Sequence, residues 1–217
     1  MAEYRLHCFA QSGNAYKAAL HLELSGADWE PVFVDFFNGE TRTSEYRRVN
    51  VMGEVPLLEH AGRTLTQSGV ILDYLAGTTG RFGPANDDER REIWRWILFD
   101  NHKLTSYLAT HRFLHHFTQG ADPAVLGFLN GRAKAALKVL DSHLDGRDFA
   151  VAGRATIADL SMVGYMYYGD ELGIDVDGAF GNVARWRDRI SDMAGWKHPY
   201  DLMPGHPLPP RGQTASS

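Results

Sequence analysis

A hydroxyl and an amide follow the first apolar segment of the chain, in the stretch QSGN at residues 11–14. Ser12 lies between a predicted strand and a predicted helix, so its O–H and the neighbouring backbone amides would point to one mouth of a sheet. Such groups stabilise an anion. The alternative interpretation is that Ser12 is an ordinary helix cap, because serine is a preferred residue at that position.

A proline follows Val55 where an apolar strand is about to begin, in the segment GEVPLL at residues 53–58. About 5 to 6% of X-Pro bonds in folded proteins are cis. A cis bond here would turn the N–H and C=O of Val55 outward, where an extended thiol peptide can pair with them as an additional antiparallel strand. The alternative is an ordinary trans proline, Pro56, in an edge strand.

A third polar segment, QSG at residues 67–69, stands at the predicted start of another helix. Unpaired amides and the positive end of the helix dipole favour a carboxylate there. The alternative for Ser68 is plain N-capping. Both roles are compatible, since a helix start keeps several unpaired donors after one is satisfied.

Two further patterns involve nucleophilic or metal-binding residue types. Cys8 is the single cysteine and lacks a C-x-x-C partner, which favours a small buried apolar residue over a redox nucleophile. His111 and His115 are four residues apart, but no H-E-x-x-H pattern is present and no third ligand is indicated. We therefore expect neither redox chemistry by Cys8 nor a metal site.

The elements that must position these residues form two differently patterned regions. The predicted elements of the first are a strand Tyr4–Phe9, a helix Ala15–Leu24, a strand Trp29–Phe36, a polar loop, a hairpin of Pro56–Glu59 and Arg63–Thr66, and a helix capped by Ser68 that runs to Ala76. This βαβ-ββα order is that of an α/β thioredoxin-like domain.

Helical periodicity dominates the second region. It is predicted over 87–117 and 123–144, and the spacing of Thr156 and Asp159 is that of a capping box at the start of a buried helix. The predicted domains are 1–77, a linker 78–86 rich in turn formers, an all-α helical bundle 87–200, and an extended or disordered tail 201–217.

Composition narrows the classes of partner. The 217 residues are 44% hydrophobic and carry a formal net charge of -5, which argues against a nucleic-acid or anionic-membrane partner. No apolar run approaches the length of a membrane span, and the opening residues lack the regions of a signal peptide. We expect a cytoplasmic protein without a membrane partner.

Four motifs occur in an order that resembles the bacterial cytosolic glutathione transferases: SGN, GEVPLL, TQSGVILDYL and TIADL. The resemblance extends from Tyr4 to about Trp196. It implies a thioredoxin-like N-terminal domain, an all-helical C-terminal domain, a homodimer, and glutathione as co-substrate with no metal. The second substrate would be a small hydrophobic electrophile.

The resemblance also implies roles for individual residues. Val55, with Pro56, would hold the cysteinyl backbone of glutathione, and Gln67 with Ser68 would hold its γ-glutamyl end. Ser12, with Asn14, would contact the thiolate. The remaining implied residues are Asn101, which would reach the γ-glutamyl end across the dimer, and a pocket for the electrophile formed by Tyr107, His111 and Tyr165.

The sequence departs from the family pattern near the peptide-binding residues. The family often has a carboxylate where Gln67 stands, a lysine near Glu54 and a proline where Val51 stands. Glu54 is nevertheless counted among the predicted glutathione-binding residues, and Arg42 is predicted to supply the missing positive charge. No tyrosine falls in the first turn of the first helix, so Ser12 is the preferred thiol-activating residue.

Three functions are compatible with these features. The first is conjugation of glutathione to small hydrophobic electrophiles. The second is glutathione-dependent reduction of disulfides or peroxides, which a comparison of a chloronitrobenzene with a glutathione-capped disulfide would separate. The third is a non-catalytic scaffold for protein contacts, which would not be retained on immobilised glutathione.

Overall fold

A computed structural model describes residues 2–208 of the chain. Residue contacts divide the chain into two compact units. One unit contains the residues up to Arg81 together with the described residues from Ala194 onward, and the other is Phe82–Met193. The sequence predicts a helical domain up to residue 200 and a tail after it, whereas the contacts group the described residues from Ala194 onward with the first unit. Residues 209–217 of that predicted tail lie outside the described residues.

The first unit is built on a four-stranded mixed sheet. Its strands are β1 (Tyr4–Cys8), β2 (Trp29–Phe33), β3 (Leu57–His60) and β4 (Arg63–Thr66), in the spatial order β2-β1-β3-β4. β1 pairs parallel with β2 and antiparallel with β3, and β3 pairs antiparallel with β4. The helical elements are α1 (Gly13–Ser25), a 3-10 turn Glu40–Arg42, α2 (Ser44–Val49), α3 (Ser68–Thr79) and a helical turn Pro199–Leu202. This arrangement confirms the predicted α/β fold class.

The pairing register places four points where the chain enters or leaves a strand at one end of the sheet. His7 lies opposite Leu57, and Leu57 lies opposite Thr66. The chain therefore leaves β1, enters β3 and leaves β4 at the same end, which is called the Ser12 end of the sheet below. Cys8 lies opposite Phe33 in the parallel pair, so the chain leaves β2 there as well.

Burial alternates along β1, as expected for a strand with one face on the core. Tyr4, Leu6 and Cys8 are buried, whereas the intervening residues are half-buried. Leu6 lies opposite Pro31 of β2, an edge strand. A proline is tolerated at such a position because its missing N–H can face solvent.

The second unit is helical. Its elements are α4 (Asp87–Phe99), a π-helical segment Asp100–Leu104, α5 (Thr105–Phe117), α6 (Pro123–His143), α7 (Ile157–Met162), 3-10 turns Val163–Tyr165 and Gly169–Leu172, α8 (Val176–Ala179) and α9 (Gly181–Ser191). The capping box of Thr156 and Asp159 is confirmed at the start of α7. Among the described residues, no helix combines the length and the apolar character needed to cross a membrane.

Several predicted boundaries were wrong. Thr105 and Ser161 donate hydroxyl hydrogen bonds of 2.6 Å each to the buried carboxylate of Asp100, where the π-helical segment interrupts the predicted helix 87–117. β2 ends at Phe33 rather than residue 36, and α3 runs through Thr79 into the predicted linker.

The predicted cap of α3 was also wrong. The N-cap is Gln67, not Ser68, and its side chain makes no capping hydrogen bond. Gln67 follows β4 directly and turns the chain with a φ of 69°, so the helix already begins at Ser68.

Candidate functional site

The start of α1 carries the first polar group at the Ser12 end of the sheet. Ser12 is the N-cap, and its Oγ accepts a hydrogen bond of 3.1 Å from the backbone N–H of Ala15. Ser12 therefore does cap the helix, but in this hydrogen bond its oxygen serves only as the acceptor. The hydroxyl makes no other hydrogen bond to a described residue, so its hydrogen can be donated to a ligand.

Asn14 lies in the first turn of the same helix. It is half-buried, and its side-chain amide forms no hydrogen bond with the described residues. The first turn contains no acidic residue that would repel an anion. A hydroxyl and an amide are thus available within one helical turn.

The second polar group is the backbone of Val55. The bond between Val55 and Pro56 is cis, and neither the N–H nor the C=O of Val55 is hydrogen-bonded to another described residue. The loop before it is fixed, because the backbone carbonyl of Glu54 accepts hydrogen bonds of 2.8 Å from the Tyr46 hydroxyl and 2.7 Å from the Asn50 amide. A ligand backbone can therefore meet a pre-positioned donor and acceptor.

Tyr46 is a reliable donor in this loop. Burial, with a smaller contribution from the charge of Glu40, raises the pKa of Tyr46 to about 12. The phenol therefore stays protonated at neutral pH. Tyr46 and Asn50 were missed from the sequence, because nothing in the predicted polar loop indicated which of its residues turn inward.

The third polar group is formed by Gln67 and Glu54. The Gln67 amide donates to a Glu54 carboxylate oxygen at 3.2 Å and also contacts the Met52 sulfur at 2.8 Å. Both residues are exposed. The sequence lacks an acidic residue at 67, but the fold places the carboxylate of Glu54 beside it.

Ser68 is the first residue of α3 and is buried, with 6% of its surface exposed. The first turn of α3, like that of α1, contains no acidic residue. The unpaired amides of this helix start therefore face no competing negative charge from their own turn.

Two arginines lie in the segments that precede Val55. Arg42 is exposed at the end of the 3-10 turn that follows β2. Arg47, which sequence reasoning missed, packs against the loop: a Cβ added to Gly53 would lie 3.3 Å from its guanidinium. Gly53 has a φ of 65°, and the same Cβ would lie 2.8 Å from the carbonyl oxygen of Thr41, so only glycine fits.

Known families match both halves of this chain. Residues 3–77 match the glutathione S-transferase N-terminal domain, and residues 122–193 match the glutathione S-transferase C-terminal domain. Glutathione S-transferase 2 of Schizosaccharomyces pombe is 31% identical over 177 residues, covering 77% of this chain and 76% of that relative. The chain belongs to the glutathione S-transferase family.

Two further relatives show the range of this family. A crystal structure described as a possible glutathione S-transferase from Rhodopseudomonas palustris is 34% identical, has a TM-score of 0.85, and is matched over 91% of this chain and 98% of that chain. Elongation factor 1-gamma of Artemia salina is 30% identical over 172 residues, which cover 74% of this chain but 37% of that longer protein. The resemblance found from the motifs is confirmed.

Within this glutathione S-transferase family member, Cys8 is fully buried in β1. Burial raises the pKa of its thiol to about 12, so a thiolate does not form there at neutral pH. Among residues 2–208, no group of three or more His, Cys, Asp or Glu side chains is arranged to hold a metal ion.

His111, a predicted pocket residue, is 4% exposed and packed inside the helical unit. Its Nδ1 lies 2.9 Å from the Leu172 carbonyl oxygen, its Nε2 lies 3.3 Å from the Asn130 amide, and its ring stacks on His115. Burial lowers its pKa, so the ring is a neutral donor and acceptor that stabilises this unit.

The other predicted residues of the helical unit have different environments. Asn101 is exposed within the π-helical segment, and Tyr165 is buried. Tyr107 is half-buried, and Arg132 donates to its hydroxyl at 3.2 Å while lying over its ring. Their predicted contacts with substrates remain predictions.

Proposed function

We propose that this protein binds glutathione at the Ser12 end of the sheet and transfers it to small hydrophobic electrophiles. The observation that carries the proposal is the unpaired backbone of Val55 at the end of the sheet where Ser12 and Gln67 also lie. A tripeptide thiol needs backbone pairing, an anion site for sulfur and sites for charged termini. The same end of the sheet offers all three.

The backbone of the cysteinyl residue would pair with Val55. Its N–H and C=O would form two hydrogen bonds in the manner of an added antiparallel strand. Because Tyr46 and Asn50 hold the preceding carbonyl, the loop does not have to be ordered on binding. Pre-organisation of this kind lowers the entropy cost of association.

The charged termini of glutathione would find complementary groups. The γ-glutamyl carboxylate fits the start of α3 at Ser68, where helix amides are unpaired. The neighbouring ammonium group fits the carboxylate of Glu54, which Gln67 holds. The glycyl carboxylate would be met by Arg42 or Arg47.

The chemical step would begin with the thiolate, stabilised by the Ser12 O–H, the Asn14 amide and nearby backbone amides. A thiol with a pKa of about 8.5 is roughly 3% ionised at neutral pH. Lowering that pKa by ~2 units raises the thiolate at most about 30-fold and requires about 2.7 kcal/mol of differential interaction. Proximity to the electrophile must supply the rest of the rate.

The atoms balance as a substitution. The thiol proton leaves to solvent, the sulfur lone pair forms a bond to the electrophilic carbon, and the leaving group departs with its bonding electron pair. The products are a thioether and the released anion. The proposal includes an electrophile pocket lined by Tyr107 and Tyr165. It also includes a homodimer in which Asn101 reaches glutathione across the interface, and a cytoplasmic location.

Calorimetric titration with glutathione and turnover of chlorodinitrobenzene test the proposal. We expect Ser12→Ala to raise the pKa of the bound thiol and to lower turnover by up to about 30-fold, the limit set by ionisation. Ser25→Ala, at the opposite end of α1, is the matched control and should leave both unchanged. No binding of glutathione by the wild-type protein would refute the proposed function, and an unchanged pH profile in Ser12→Ala would move the role to Asn14 or a backbone amide.

A non-catalytic role is the second candidate, and the 30% identity to elongation factor 1-gamma favours it. No retention on immobilised glutathione, together with no turnover of chlorodinitrobenzene or of a glutathione-capped disulfide, would support that role. Turnover of the disulfide alone would support a reductase instead.

A further inference from the structure

The described C-terminal residues return to the first unit and follow α1. We name Ala194–Leu208 the C-terminal strap. The Lys197 ammonium lies 2.6 Å from the carboxylate of Glu23, and the Lys197 carbonyl accepts a hydrogen bond of 2.9 Å from the Tyr16 hydroxyl. These contacts fix the strap near both ends of the helix, at its first turn and at its last turn.

The strap then reaches the connection between β1 and α1. The Pro204 carbonyl accepts a hydrogen bond of 2.7 Å from the Ala10 backbone, and the Gly205 carbonyl accepts one of 2.8 Å from the Gln11 side-chain amide. Ala10 and Gln11 lie beyond the end of β1 and immediately precede Ser12. The strap therefore supports this connection where the sheet ladder no longer does.

The path of the strap at this point requires glycine. Gly205 has a φ of 94°, and a Cβ added to it would lie 2.6 Å from a ring carbon of Phe33. The ring of Phe33, the last residue of β2, would have to shift to make room for this Cβ. A side chain at 205 is also strained by the positive φ, so an added methyl group would displace the strap, the ring or both.

Aromatic packing continues the same contact. Phe9 stacks on Phe36 with ring centroids 4.9 Å apart, and Leu208 and Gln11 line one small cavity with both rings. Gln11 is buried, with 4% of its surface exposed. The strap thus forms one wall of the environment of the residue before Ser12.

We infer that the C-terminal strap positions Ser12 for thiolate contact, through Gly205 and Gln11. The inference rests on the proposed function and adds a set of positioning residues to it. Neither residue needs to touch the sulfur. A displacement of about 1 Å at a reacting group can lower the rate by about a hundredfold, so loosening the connection should affect turnover more than binding.

A matched pair of glycine substitutions tests this inference. Gly205→Ala meets Phe33, whereas Gly62→Ala, in the turn between β3 and β4, has a similar φ of 74° but meets no atom within 4 Å. We expect Gly205→Ala to lower kcat about tenfold and raise the pKa of the bound thiol, because the sulfur contact loosens. The KM for glutathione and binding of S-methylglutathione, which has no ionisable thiol, should change less than about twofold, and Gly62→Ala should leave all four values unchanged.

Gln11→Leu provides a second variant, which removes the hydrogen bond to the Gly205 carbonyl. Amide hydrogen exchange of residues 10–16 should be faster in both Gly205→Ala and Gln11→Leu than in Gly62→Ala. Normal glutathione binding with unchanged pH profiles and exchange in both variants would overturn the inference alone. Failure of the wild-type protein to bind glutathione would instead refute the proposed function, and exchange would still report whether the strap holds the connection.

Discussion

Two helices in this protein, α7 and α1, are both capped by a hydroxyl side chain, but only α7 also has a carboxylate in its first turn. At α7 the hydroxyl of Thr156 caps the helix, and Asp159 accepts hydrogen bonds from the Thr156 backbone at 2.9 Å and hydroxyl at 3.0 Å. The same carboxylate accepts from the Ala150 backbone at 2.8 Å and the Trp186 indole at 2.9 Å. At α1 the hydroxyl of Ser12 caps the helix, but no carboxylate follows in the first turn.

The difference shows which helix starts are satisfied within the protein and which can still bind an anion. A carboxylate in the first turn accepts hydrogen bonds from unpaired backbone amides and compensates the positive end of the helix dipole. The first turns of α1 and α3 contain no acidic residue, whereas α4 begins with Asp87, Asp88 and Glu89. The two helix starts at the Ser12 end of the sheet are therefore free to meet an anion from outside.

Removing the Asp159 carboxylate, which completes the capping box of α7, should have the largest effect on stability. Asp159→Ala leaves four donors in a fully buried site without their acceptor, and we expect a loss of about 4 kcal/mol in the free energy of unfolding. Urea denaturation followed by tryptophan fluorescence measures it. Asp87→Ala, an exposed carboxylate in the first turn of α4, is the control and should cost less than about 1 kcal/mol. Similar losses of unfolding free energy in both variants would contradict the distinction between the buried carboxylate and the exposed one.

In the buried part of α1, a histidine should make the stability of the fold depend on pH. His21 is fully buried, and burial lowers its pKa to about 4. Between that value and about 6.5 the unfolded chain binds a proton that the folded chain does not, so stability is present above pH 6.5 and lost as pH falls.

From pH 7 to pH 5 this histidine should cost about 2 kcal/mol of unfolding free energy. His21→Leu should be less sensitive to pH by that amount, whereas His102→Gln, at an exposed position, should keep the wild-type dependence. Equal slopes in His21→Leu and the wild type would show that the buried ring is not the acid-sensitive group.

Gln67 should show that a residue proposed to bind glutathione can lower the stability of the fold. Its φ of 69° is strained for a residue with a side chain. Gln67→Gly should raise the unfolding free energy by about 1 kcal/mol while weakening glutathione binding about fivefold, because the contact with Glu54 is lost. Gln67→Ala should weaken binding equally without the gain in stability. A loss of stability in Gln67→Gly would argue against strain at this position.

The smallest effect is expected at Cys8. Its buried thiol lies near the site but has a pKa raised to about 12, so Cys8→Ala should keep kcat/KM within about twofold of the wild type. Thiol-labelling reagents should react with the wild-type protein only after unfolding. A large loss of activity in Cys8→Ala, with the fold intact by circular dichroism, would reassign the chemistry to this residue.

The sequence predicted the elements whose signals are local. The capping box at Thr156 and Asp159 is a fixed spacing, and the strands of the mixed sheet are bounded by turn residues, so both were found. The position of Ser12 at the start of α1 was predictable because its hydroxyl stands between a strand and a helix in the sequence. The cis linkage at Val55 was one of two open alternatives.

The elements that were missed depend on residues distant in the chain. The π-helical segment contains Asp100, whose carboxylate accepts a hydrogen bond from Ser161, sixty-one positions later. The strap has no periodicity and is ordered by hydrogen bonds to Ala10 and Gln11. The pairing of Glu54 with Gln67 depends on the loop that Tyr46 and Asn50 hold. Local patterns contain none of this information.

The placement of Pro31 in β2 has a consequence for aggregation. An exposed edge strand is a template on which a second chain can add its own backbone, and extended stacks of this kind lead to amyloid. Pro31 is exposed on the edge of the sheet beside β1. Because it has no amide hydrogen to offer, Pro31 cannot donate to a strand added at this edge, which disfavours growth of the sheet through β2.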